Sequence, residues 1–147
     1  MYLIGLANTG SQSVQPEGVI NIGDVYRRYC RRNCCGTRVF DVNGSGVTLN
    51  WSGIYHITAT FELTAPEAGN VTVQAFENGA PVPLAVASTT ITTADTETRT
   101  LIIDYFTILN EAVVLGVDST TAKSITFENV GDAATFTNVV VNIEKEA

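Results

Sequence analysis

At 147 residues the chain is sized for a single core, which would bury about 68–70% of the unfolded surface, so a second folded unit is not expected. Only 16% of residues are charged against 45% hydrophobic; soluble domains usually carry ~25% charge, so uncharged surface is left for another protein to cover. Five of the eight basic residues, Arg27, Arg28, Arg31, Arg32 and Arg38, fall within twelve positions, and the remainder sets three basic against fifteen acidic residues. A body that acidic argues against general binding of nucleic acid or anionic membrane.

Residues 1–10 lack a basic leader, and their apolar stretch is too short for a secretory signal. No stretch approaches the ~20 apolar residues of a membrane span. Synthesis in a cytoplasm without classical export is therefore expected, with no membrane partner. Gly10–Gly18 is polar and loop-like. Segment 1–37 reads as an N-terminal arm or first strand with an Arg/Cys-rich loop, and 38–147 as the main β domain.

Asn43-Gly44-Ser45-Gly46 predicts a turn between strands Arg38–Val42 and Gly46–Asn50. The clearest strand starts at Gly53 and sets Tyr55, Ile57, Ala59, Phe61 and Leu63 on one face and His56, Thr58, Thr60 and Glu62 on the other. After a loop at Ala65–Asn70, Val71–Glu77 alternates again, and Asn78-Gly79 is a strong two-residue hairpin signal leading into Ala80–Ala87. Thr89–Thr100 reads as a solvated connection or ragged edge strand. Leu101–Leu109 is almost continuously apolar and is expected to be covered on both sides. Strands Ala112–Val117 and Ala122–Glu128 flank a turn at Asp118–Thr121, and Val130-Gly131-Asp132 turns into a closing strand over Thr135–Glu144. Twenty threonines suit pleated surfaces, and no window carries a helical stripe. The spacing predicts an all-β antiparallel two-sheet sandwich of about eight to ten strands.

Val47-Thr-Leu-Asn-Trp-Ser-Gly-Ile-Tyr-His-Ile-Thr-Ala resembles the central signature of the complement globular-head and tumour-necrosis-factor-like jelly rolls, in which a Gly-Ile/Val-Tyr opens a long core strand. Val71-Thr-Val-Gln-Ala-Phe-Glu-Asn-Gly-Ala-Pro-Val-Pro is similar to their next hairpin, and Val139–Ile143 sits where such domains end. The likeness covers roughly Arg38 to Lys145 and implies a homotrimeric jelly roll. The Thr/Ala/Val-rich composition, the opening around Asn8-Thr-Gly-Ser-Gln-Ser-Val and the arginine-cysteine insert resemble bacteriophage and prophage structural proteins, namely virion (capsid) decorations and head or tail fibres. No collagen-like stalk accompanies them.

Candidate chemistry is sparse. His56 is the sole histidine, so any Ser-His-Asp or Cys-His arrangement would need it; its mid-strand place reads as a polar residue on an outer or inter-subunit face. Three copies meeting at a trimer axis could bind a metal or sense pH. Cys30, Cys34 and Cys35 read as reduced thiols in a loop, with a disulfide framework or a redox role, sensitised by neighbouring guanidiniums, as the alternative. A metal site there lacks a fourth ligand. Arg27, Arg28, Arg31, Arg32 and Arg38 read as a docking patch for an acidic protein surface such as a capsid shell or the acidic body of a neighbouring subunit, with nucleic-acid contact and a plain solvated loop as the alternatives. Trp51 and His56 are candidate trimer contacts, Trp51 being equally placed to plug the core. The resulting expectation is a non-enzymatic virion protein that uses no cofactor and no metal, assembles with itself and with virion proteins, and meets host surface glycan through its loops. The alternative is a carbohydrate- or protein-binding adhesion head on a bacterial surface.

Overall fold

The structure is a computed structural model that describes residues 2–29, 39–109, 111–114, 117–120 and 122–146. In chain order its strands are β1 (Tyr2–Asn8), β2 (Gln12–Val14), β3 (Gly18–Val19), β4 (Asp24–Tyr29), β5 (Phe40–Val42), β6 (Gly46–Leu49), β7 (Gly53–Thr64), β8 (Gly69–Glu77), β9 (Ala80–Ile91), β10 (Arg99–Leu109), β11 (Glu111–Val114), β12 (Val117–Thr120), β13 (Lys123–Asn129) and β14 (Ala134–Lys145). Among the described residues there is no helix. The first sheet runs β10-β7-β14-β1-β4, with β2 added to β14; the second runs β5-β6-β13-β8-β9, with β3 added to β13. All pairings are antiparallel. Ten strands make the two main paths. The short β2, β3 and β12 are too brief to leave a hydrophobic period in the sequence, whereas β11 overlaps the strand expected over Ala112–Val117.

Period-two patterning explains the layers. In β7 the residues Tyr55, Ile57, Ala59, Phe61 and Leu63 are fully buried, while their neighbours along the strand are only partly covered. Val71, Val73 and Ala75 of β8 and Ile125 and Phe127 of β13 face them from the second sheet. Phe61 and Phe127 meet edge to face across the sandwich at 5.4 Å, and Phe61 also meets Phe136 of β14 at 6.1 Å. A bulge between Phe136 and Asn138 shifts the β14 register, which lets both Phe136 and Val139 point inward.

The Asn78-Gly79 loop closes the β8–β9 hairpin, with Glu77 opposite Ala80. Its φ angles of 51° and 80° belong to a type I′ turn, which a Gly at the second position favours. Two sequence expectations change. The turn expected at Asp118–Thr121 is displaced, because Glu111–Val114 pairs with Val117–Thr120 as a hairpin. Leu101–Leu109 is covered on one face only: Leu101, Ile103, Thr107 and Leu109 are buried, whereas Ile102, Phe106 and Ile108 face outward. A run of apolar residues hides its alternation when both faces are apolar.

Candidate functional site

The outer face of the first sheet is read from its register. Across β10, β7 and β14, Phe106 lies opposite His56, and His56 opposite Glu144. In the next row Asp104 lies opposite Thr58, and Thr58 opposite Asn142. Beyond β14, Leu3 of β1 pairs with Glu144 and with Tyr29 of β4, while Gly5 pairs with Asn142 and with Arg27. This face divides into an apolar corner and a polar groove.

The corner is built by β10, β7 and β9. Ile102, Phe106 and Ile108 keep 61%, 62% and 55% of their surface exposed, and Leu84 of β9 keeps 93%. Ile54 and Val86 add to the exposed apolar surface. β9 and β10 are the edge strands of their two sheets, and a groove of about 550 Å³ lined by Val82, Pro83, Leu84, Ala85, Asp104, Tyr105 and Phe106 lies between them. Over Ile102–Leu109 only Asp104 is charged. Exposed edge strands with this many large side chains are where other chains add on, unless something covers them.

The polar groove, about 430 Å³, is lined by Leu3, Tyr26, Arg27, His56, Thr58, Asn142 and Glu144. Tyr26 lies across Gly5, where a Cβ would come within 2.8 Å of the ring, and its hydroxyl donates to Asn142 Oδ1 at 2.7 Å. His56 is clamped from the β10 side. Its ring stacks on Phe106 with centroids 4.5 Å apart and planes 12° apart, and Nε2 lies 2.5 Å from Asp104 Oδ1.

The residues singled out in the sequence are placed as follows. His56 sits on the outer face, as expected from its alternation against Ile57. Trp51 is half-buried, packs against the core and meets Tyr2 edge to face at 5.3 Å. The Trp51 carbonyl accepts a 2.5 Å hydrogen bond from the buried Tyr55 hydroxyl, whose pKa burial raises to about 12 against the lowering effect of that bond. Arg27 and Arg28 lie exposed on β4, the edge of the first sheet opposite β10; the Arg27 guanidinium stands 5.9 Å over the Tyr26 ring. Arg31, Arg32, Arg38, Cys30, Cys34 and Cys35 lie outside the described residues. Sequence reasoning missed Ile102, Phe106, Ile108 and Leu84 as surface, and it missed Asp104, Glu144 and Tyr26 as companions of His56. Only strand register joins those companions, although the Leu101–Leu109 run carried the signal for the corner.

Among the described residues no helix is long and apolar enough to cross a membrane. No family model and no curated protein matches the sequence. Among solved structures the chain is similar to the Eiger TNF of S. frugiperda at 7% identity and TM-score 0.67, over 100% of this chain and 94% of that one. It is similar to the globular domain of the zebrafish complement 1qA protein at 9% identity and TM-score 0.59, over 100% and 98% of the two chains. It is also similar to PRD1 vertex protein P5 at 18% identity and TM-score 0.54, over 98% and 96%. Two antiparallel sheets in this strand order, aligned end to end with those structures, give the chain the jelly-roll fold of the tumour-necrosis-factor-like and complement globular-head proteins.

Proposed function

We propose that the chain is a non-enzymatic bacteriophage structural protein, a virion decoration or a head- or tail-fibre component, that works as a homotrimer joined through the apolar corner of β9, β10 and β7. The corner itself carries the reading. Burying the exposed part of Ile102, Phe106, Ile108 and Leu84 is worth on the order of 1–2 kcal/mol per side chain. One contact between two copies then yields about 4–8 kcal/mol, comparable with the 4–15 kcal/mol or more that association costs. A pair of copies is therefore marginal. A closed ring of three makes three contacts for two association events, and a patch that turns from sheet face to sandwich edge suits such head-to-tail closure.

The two edges of the first sheet differ in chemistry. Apolar β10 serves contact between copies, while β4, at the far edge, presents Arg27 and Arg28 to an acidic partner such as a virion shell. The fold likeness to a phage vertex protein supports that setting. Mass spectrometry of purified virions from the phage or induced prophage that encodes the chain tests the assignment. The chain is expected in stoichiometric amounts, and its consistent absence overturns the reading.

A further inference from the structure

His56, Glu144 and Glu146 bring one imidazole nitrogen and two carboxylate oxygens within 4.8 Å of one another. His56 and Glu144 are direct cross-strand partners. Glu146 continues that ladder beyond β14, its backbone N–H donating to the Ile54 carbonyl at 2.7 Å, so period-two alternation returns its side chain to the face of Glu144. We propose that these three side chains form a binding site, complete within one chain, for a zinc-type divalent ion, with Asp104 as the residue that positions the His56 ring.

Three observations converge. The first is distance: ligand atoms of a tetrahedral zinc site stand about 3.4 Å apart, given bonds of about 2.0–2.2 Å. The three ligand atoms lie within 4.8 Å of one another, and Glu146, exposed at the end of the ladder, is a side chain with room to turn toward an ion. The second is preorganisation. The His56 ring is held flat on Phe106, and Asp104 Oδ1 occupies Nε2 at 2.5 Å, so Nδ1 is the nitrogen left for an ion. A carboxylate behind a histidine in this way fixes the ring and raises its basicity as a ligand. The third is charge. Glu144 and Glu146 bring two carboxylates together at one imidazole, whose Nε2 already faces the Asp104 carboxylate. A divalent ion relieves that repulsion.

Donor chemistry selects the class of ion. A nitrogen ligand among carboxylates suits zinc and its first-row neighbours, whereas calcium and magnesium take oxygen donors. Three protein ligands leave a coordination position for water or for a donor from another molecule.

The test uses the untagged full-length chain with its three cysteine thiols alkylated, so that sulfur cannot bind the metal. Zn²⁺ is titrated at pH 7.5 against a chromophoric chelator, and Co²⁺ is added in parallel as a spectroscopic probe. One Zn²⁺ per chain with micromolar affinity and visible Co²⁺ d–d bands are expected, undisturbed by excess Ca²⁺. His56→Ala and Glu146→Gln weaken Zn²⁺ binding at least tenfold, and Asp104→Asn weakens it by about tenfold while retaining the Co²⁺ bands. Glu146→Gln, at the exposed end of the ladder, keeps the experiment decisive if His56→Ala does not fold. Substoichiometric Zn²⁺ in the wild-type chain, absent Co²⁺ bands, or undiminished affinity in Glu146→Gln overturns the proposal.

Discussion

Tyr26 lies over Gly5 on the outer face of the first sheet, so that a Cβ at residue 5 would stand 2.8 Å from the Tyr26 ring and 2.8 Å from Asn142 Oδ1. The absent side chain is what allows Tyr26 to reach Asn142 with its hydroxyl and wall the polar groove. The atoms in the way all belong to the side chains of Tyr26 and Asn142, so Gly5→Ala is expected to expel Tyr26 and leave the β1–β14 ladder intact. The cost is about 1–3 kcal/mol, the usual range for overpacking. Urea denaturation measures the loss, and Tyr26→Phe, which removes only the hydroxyl, should cost less. Equal stability of Gly5→Ala and wild type would contradict the placement of Tyr26.

Phe127 tests the core. It is fully buried on β13 and meets Phe61 of the opposite sheet, so truncation leaves a cavity between two layers that strand pairing holds apart. Phe127→Ala is expected to lower stability by about 3–5 kcal/mol, with urea unfolding as the measurement. Ile102→Ala, at an exposed site, should cost far less in a dissociated chain.

Glu97 gives the fold an acid-sensitive loop. Its Oε2 accepts the backbone N–H groups of Thr93 at 2.9 Å and Thr92 at 2.6 Å, and its other oxygen pairs with Arg99. These bonds, the one from Thr93 foremost, hold its pKa at about 2 rather than the ordinary 4.5. The folded chain therefore favours the carboxylate. Its contribution is fully present above the ordinary value and is lost as pH falls toward 2. Glu97→Gln should destabilise the chain at pH 6 and differ less from wild type near pH 2.5. Urea midpoints at the two pH values check this, and a gap independent of pH would contradict it.

Much of the fold was legible because half-buried strands alternate. β7, β8, the Asn78-Gly79 hairpin and β14 all carry a period of two, and their buried residues fall where the pattern set them. β10 misled because Ile102, Phe106 and Ile108 are apolar yet point to solvent. Apolar side chains that face solvent leave the same signal in the sequence as buried ones, so an exposed apolar face reads as core. The surroundings of His56 were illegible for a different reason. Asp104, 48 residues away, and Glu144 reach it only through the pairing of β10 and β14 with β7, and register is a property of the folded sheet.

The same corner accounts for how copies would associate. Ile102 is exposed on the outer face of β10, directly opposite Thr60 and four residues from Phe106, the partner of His56. Ile102→Asp places a charge where the contact would be dry, and it should dissociate the assembly while far-UV circular dichroism stays that of a β protein. Thermal unfolding of the wild type should rise with protein concentration, and that of Ile102→Asp should not. An assembly unaffected by the aspartate would move the contact elsewhere on the chain.

Native mass spectrometry of the wild-type chain at micromolar concentration tests the central claim most directly, because it counts chains without assuming a shape. Association through β9, β10 and β7 predicts a species of three chains that Ile102→Asp converts to single ones. A wild-type chain that remains single under those conditions, with Leu84, Ile102 and Phe106 left in water, contradicts it.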